Sequence, residues 1–126
     1  MFAAMRAPKP LLRIPGAFAT LFRPSVQPYL ISWLPLDPVA ELARVDMPTL
    51  VVWGTSDLQA GRDDAERLAA ADDDVRLVVI EDMNHVLKAV SGTLEEQLPS
   101  YSDPTLPLHP ALVPTVVAYV RQVASP

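Results

Sequence analysis

Proline is spread so unevenly along this chain that it decides where regular structure can run unbroken. Eight of the 14 prolines lie in the first 48 residues and six lie from position 99 onward, while residues 49–98 contain none. Because proline fixes φ and lacks an amide donor, it interrupts helices and central strands. Continuous secondary structure is therefore expected in the middle of the chain.

Within that middle, Thr49-Leu50-Val51-Val52-Trp53 follows Pro48 and stops at Gly54, and Val75-Arg76-Leu77-Val78-Val79-Ile80 is a second β-rich apolar run. Both read as strands buried on their two faces. Between them, Arg62 to Ala71 is built of good helix formers. Ala65, Leu68 and Ala69 share one face, and Asp63 and Asp64 sit in the first turn, where the helix dipole favours them. A strand, helix, strand unit joined this way is expected to pair its strands in parallel. Parallel strands need cover on both faces, and Ala111 to Gln122 is expected to provide it with Val113, Val116, Val117 and Val120 along one side. Pro114 is tolerable there, in a first turn whose amides have no intrahelical partner.

Residues 1–45 read as a separate, proline-rich helical segment, and 46–126 as the α/β portion. Ala17 to Phe22, Ser25 to Leu34 and Pro38 to Val45 each suit a short helix, serving either as ordinary packing or as a lid over an active site. At 126 residues the chain is too short for two domains with separate cores. It has no cysteine and only His85 and His109, which leaves no disulfide framework and no metal site in prospect. Residues 46–103 hold four basic and thirteen acidic side chains, a poor match to nucleic acid. Pro8, Pro10 and Pro15 break the opening where an export signal needs an apolar run, and no stretch of about 18 apolar residues occurs. The expectation is a soluble, cytoplasmic protein without a membrane span.

Ligands of open parallel sheets bind beyond the carboxyl ends of the strands. Gly54-Thr55-Ser56-Asp57 follows the first strand, and Glu81-Asp82-Met83-Asn84-His85 follows the second. Neighbouring strands about 4.8 Å apart would bring Asp57 and His85 to one edge. There a carboxylate can fix the imidazole tautomer and leave the other ring nitrogen free to take a proton. Each residue also has a plain reading: Asp57 as a turn former, His85 as a satisfied polar group. Asn84 is a candidate for orienting the loop. Tyr101-Ser102-Asp103-Pro104 and His109 read as a capped, proline-rich loop before the last helix.

Asp46 to Gln59 resembles the seventh strand and acid-bearing loop of the α/β-hydrolases, and Ile80 to Lys88 resembles their eighth strand and histidine loop. The resemblance is to serine aminopeptidase or lysophospholipase-like members and covers roughly residues 37 to 123. It implies the carboxyl-terminal part of an α/β-hydrolase fold, a βαβ unit plus a final helix behind a cap-like segment. It also implies Asp57 as triad acid, His85 as general base, an ester, thioester or amide substrate, and no cofactor. The nucleophile elbow, Gly-x-Ser-x-Gly, is absent: the glycines are 16, 54, 61 and 92, no two of them four apart. Ser56 adjoins the acid, while Ser91, Ser100 and Ser102 follow the histidine, against the family order. The chain thus reads as cut from something larger and inactive alone. The alternatives are one half of a two-chain hydrolase completed by a nucleophile-bearing partner chain, and a non-catalytic interaction module; a homodimer is the other assembly open to the chain.

Overall fold

The computed structural model describes residue 16 and residues 22–125. The chain divides into two compact units, Met1–Glu41 and Leu42–Pro126. The expected helix from Ala17 to Phe22 lies outside the described residues except for Phe22 itself.

In the first unit, helix α1 spans Gln27–Trp33, with Pro28 in its first turn. Phe22 and Leu30 are buried together, with Val26, Ile31 and Leu34 packed against them. Gln27 Nε2 donates to the Phe22 carbonyl at 2.9 Å, so the one strongly polar side chain in this cluster has a partner. A single-turn helix α2, Pro38–Leu42, lies across the division between the units and is shorter than the segment expected to reach Val45. Asp37 Oδ1 accepts the Val39 amide at its start.

The second unit is a small α/β assembly. Strands β1 (Thr49–Gly54) and β2 (Val75–Ile80) pair in parallel, residue for residue from Thr49 opposite Val75 to Gly54 opposite Ile80. Helix α3 (Arg62–Ala69) connects them and packs on both, with Ala65 buried against the sheet. Two further helices follow, α4 (Leu94–Ser102) and α5 (Leu112–Ala124). No helix among the described residues is long and apolar enough to cross a membrane.

Three expectations need correction. The strands are half-buried rather than enclosed on both faces, and Val79 is 43 % exposed, since a two-stranded sheet leaves an edge and part of a face open. The valines expected to cover the sheet, Val113, Val116, Val117 and Val120, lie on the exposed side of α5. This helix docks instead through Leu112, which is buried with Ile80 and Met83 against Val52 and Val78, and through a 2.8 Å hydrogen bond from Arg76 to Gln122. Finally, Tyr101 and Ser102 belong to the end of α4, not to a loop. Thr93 caps that helix by accepting the Glu96 amide, while the Glu96 carboxylate accepts the Thr93 amide at 2.7 Å, a reciprocal arrangement that offsets part of the cost of Pro99 within the helix.

Candidate active site

The two strands end level with each other, and the loops that leave them are stitched together at once. The Thr55 amide donates to the Ile80 carbonyl at 3.0 Å, the Ser56 amide to the Met83 carbonyl at 3.1 Å, and the Asp82 amide to Thr55 Oγ1 at 2.8 Å. This close approach needs Gly54. A Cβ built there would lie 2.6 Å from the Met83 carbonyl carbon and 2.8 Å from its Cβ, and nearer still to its carbonyl oxygen. Glycine is required at this strand end for space rather than for a left-handed φ.

Asp57 and His85 meet across the stitched loops. His85 Nδ1 lies 2.9 Å from Asp57 Oδ2 and 3.1 Å from Oδ1. The carboxylate is tucked in, with 10 % of its side chain exposed, while the imidazole is 41 % exposed and its Nε2 makes no hydrogen bond among the described residues. Asp57 Oδ1 also accepts the amides of Gln59 at 2.7 Å and Ala60 at 2.9 Å. Burial by itself pushes the carboxyl up. The Ala60 and Gln59 amides and the His85 ring together outweigh it, and the carboxyl is held below its ordinary value of 3.8. Trp53 fastens the turn from β1, its indole Nε1 donating to the Ala60 carbonyl at 2.8 Å.

The histidine loop is held from within by Asn84, which is buried. Its Oδ1 accepts the Lys88 amide at 3.1 Å, its amide donates to the Lys88 carbonyl at 3.0 Å, and its carbonyl accepts the Leu87 amide at 2.9 Å. The loop is closed further by a bridge between Met83 and Ala89. Leu87 adopts φ 64° in this turn, a conformation that costs a bulky L-residue about 1–2 kcal/mol and persists only where surrounding bonds impose it. The His109 amide supplies one of them, donating to the Leu87 carbonyl at 2.7 Å.

Beside the pair is a cavity of ≈ 260 Å³, lined by Val51, Trp53, Leu68 and Leu87, with Asp57 and His85 also on its wall. A partly buried carboxylate holding one nitrogen of a more exposed imidazole, next to an apolar cavity, can position a base whose second nitrogen is free to take a proton. Among the described residues no group of three or more His, Cys, Asp and Glu side chains could hold a metal ion.

The other candidates are dispersed. Ser56 contributes its amide and carbonyl to the loop framework, Ser100 is buried beside Asn84, and the Ser102 hydroxyl faces the Pro99 carbonyl at 3.5 Å. Asp103 accepts from the amide and hydroxyl of Thr105, and His109 Nδ1 accepts the Ala111 amide at 3.2 Å, so both make local turns. Gln97, buried and bonded to the Ser56 carbonyl, and Tyr101, whose hydroxyl receives Gln59 Nε2 at 2.9 Å, link the acid loop to α4. Sequence reasoning missed α4 and with it Gln97. The signal was the pair Thr93 and Glu96, a capping box ahead of Gln97.

No family model, curated protein or solved structure matches the chain.

Proposed function

We propose that Asp57 and His85 are the acid and general base of a serine-hydrolase triad, and that the chain is the carboxyl-terminal part of an α/β-hydrolase acting on ester, thioester or amide bonds. The observation that carries this reading is the bond between His85 Nδ1 and the tucked-in carboxylate of Asp57, in loops that leave adjacent parallel strands in the order acid, then histidine. In the reaction, a serine hydroxyl supplied from outside this sequence loses its proton to His85 Nε2 as its oxygen attacks the substrate carbonyl. Asp57 holds the resulting imidazolium, and His85 returns the proton to the departing alcohol, thiol or amine. Water then repeats the sequence to release the acid. The apolar cavity beside His85 suits an apolar group of the substrate.

A second reading, a non-catalytic interaction module, is favoured by the exposed apolar side chains Tyr29 and Trp33 on α1 and by the valines of α5. Fluorophosphonate labelling of a tagged form purified from its native cells separates the two. The hydrolase reading expects a labelled serine within Gly-x-Ser-x-Gly, either on a copurifying chain or on a longer form of this one. Its labelling rate should fall about 10²- to 10⁴-fold with His85→Ala. Labelling that ignores His85→Ala, or a folded chain that purifies alone and unlabelled, leaves the interaction module.

A further inference from the structure

Among the described residues of the second unit, the buried polar side chains are Asn84, Gln97 and Ser100, and all three lie on one path between the acid loop and the histidine loop. Gln97 is fully buried on α4, and its Nε2 donates to the Ser56 carbonyl and to the Gly92 carbonyl, each at 3.0 Å. Ser56 immediately precedes the carboxylate at 57. One turn further along the helix, Ser100 Oγ accepts from Asn84 Nδ2 at 2.8 Å and donates to the Gln97 carbonyl at 2.7 Å. Asn84 immediately precedes the imidazole at 85. Lys88, at the other end of the histidine loop, donates its ammonium to the Ser100 carbonyl at 2.8 Å and to the Asp103 carbonyl.

Burying amide and hydroxyl groups costs free energy unless each is bonded, and here the side-chain atoms of Asn84 and Ser100 and the Nε2 of Gln97 are bonded, while Gln97 Oε1 is buried without a partner among the described residues. A network held at that cost specifies an arrangement that apolar packing cannot. Here the bonded groups are the main-chain or side-chain neighbours of Asp57 and His85. Apolar residues at 97 and 100 would fill the space but could not fix where the two loops stand relative to each other.

We infer that α4 is a clamp on the acid–histidine pair, with Gln97 and Ser100 as positioning residues: Gln97 sets the acid loop through the Ser56 carbonyl, and Ser100 sets the histidine loop through Asn84. The inference deepens the hydrolase reading, yet its test needs no substrate. In the intact chain, Asp57 keeps the proton of neutral His85 on Nδ1, whereas His109, whose Nδ1 accepts the Ala111 amide, carries its proton on Nε2. The tautomer of His109 is set by the local Ala111 amide and serves as an internal reference, whereas its main chain is bonded to the Leu87 carbonyl of the histidine loop and its shifts can respond to that loop.

The experiment is a long-range proton–nitrogen correlation spectrum of the 15N-labelled full chain, taken at about pH 8.5, two units above the ordinary imidazole value. The parent should show His85 with its proton on Nδ1. Gln97→Glu keeps the side chain's shape but removes the donor to Ser56, and Ser100→Ala removes the hydroxyl that holds Asn84. Each should lose the Nδ1-protonated form of His85 while the strand amides keep their parent shifts and His109 stays protonated on Nε2, and Ser100→Thr should restore it. If folded Gln97→Glu and Ser100→Ala both keep His85 protonated on Nδ1, the clamp is refuted. Should Gln97→Glu fail to fold, the contrast between Ser100→Ala and Ser100→Thr decides. Asp57→Asn separates the two claims: if it leaves His85 as in the parent, the acid–histidine pair itself falls and the hydrolase reading with it. If it abolishes the Nδ1 proton while the α4 variants do not, only the clamp falls.

Discussion

Replacing Gly54 with alanine tests the geometry on which the site depends. The new methyl group would sit 2.6 Å from the Met83 carbonyl carbon and 2.8 Å from its Cβ, where real Cβ contacts do not fall below 3.0 Å. The carbonyl carbon alone must therefore retreat by at least 3.0 − 2.6 = 0.4 Å, and it belongs to backbone, which cannot swing aside as a side chain can. Overpacking of this kind costs about 1–3 kcal/mol. The same displacement weakens the bond from the Ser56 amide to the Met83 carbonyl, worth a further ~0.5–1.5 kcal/mol. The sum is about 1.5–4.5 kcal/mol. With a urea m-value near 2 kcal/mol/M, the middle of that range lowers the unfolding midpoint by about 1.5 M. The assay is urea unfolding of the full chain followed by far-ultraviolet circular dichroism and by the fluorescence of its tryptophans, Trp33 and Trp53. Gly61→Ala is the control: its Cβ would meet only Asp64 Oδ2, at an ordinary 3.5 Å, and it should stay within about 1 kcal/mol of the parent as a helix N-cap change. A Gly54→Ala protein within about 0.5 kcal/mol of the parent would show that the strand ends do not approach as closely as described, and would remove the reason for Asp57 and His85 to meet.

Two further outcomes follow from the same geometry. The carboxyl of Asp57 titrates below 3.8 in the folded chain, so the stability it contributes is present above that value and is lost as pH falls through the lower folded value. The difference in urea midpoint between the parent and Asp57→Asn should accordingly be steady near neutrality and close in strong acid, and a difference that grows on acidification would contradict the bonding described. Met83 is 1 % exposed and is packed with Ile80 and Leu112 under the stitched loops, so Met83→Ala should cost about 2–5 kcal/mol by thermal or chemical unfolding, and a loss under 1 kcal/mol would mean that this cluster is not the core of the second unit.

Much of the second unit was legible in local pattern, because local pattern is what builds it. The β-rich runs bounded by Pro48, Gly54 and the acidic turn at 72–74, with a helix-period segment between, define two strands and the helix that joins them. Once those strands are parallel and in register, a residue three positions past Gly54 and one five positions past Ile80 must emerge at the same edge, and Asp57 and His85 are brought together. What the pattern could not show depends on partners distant in the chain. Gln97 reaches the Ser56 carbonyl across 41 residues, and Ser100 reaches Asn84 across 16, from a helix that Pro99 disguises and that only its capping box announces. Nor could periodicity say which way an apolar face turns. The valines of α5 have the spacing of a covering helix, but the seat against Ile80 and Met83 is taken by Leu112, and the valine side is left open. The sequence by itself determined which segments become strands and helices and where the acid and the imidazole lie along them, since these follow from short-range sterics and from the spacing of apolar residues. Only the tertiary structure decided the clearance at Gly54, the buried amide path through α4 and the exposed side of α5, because each is a contact between segments whose separation in sequence carries no record of their distance in space.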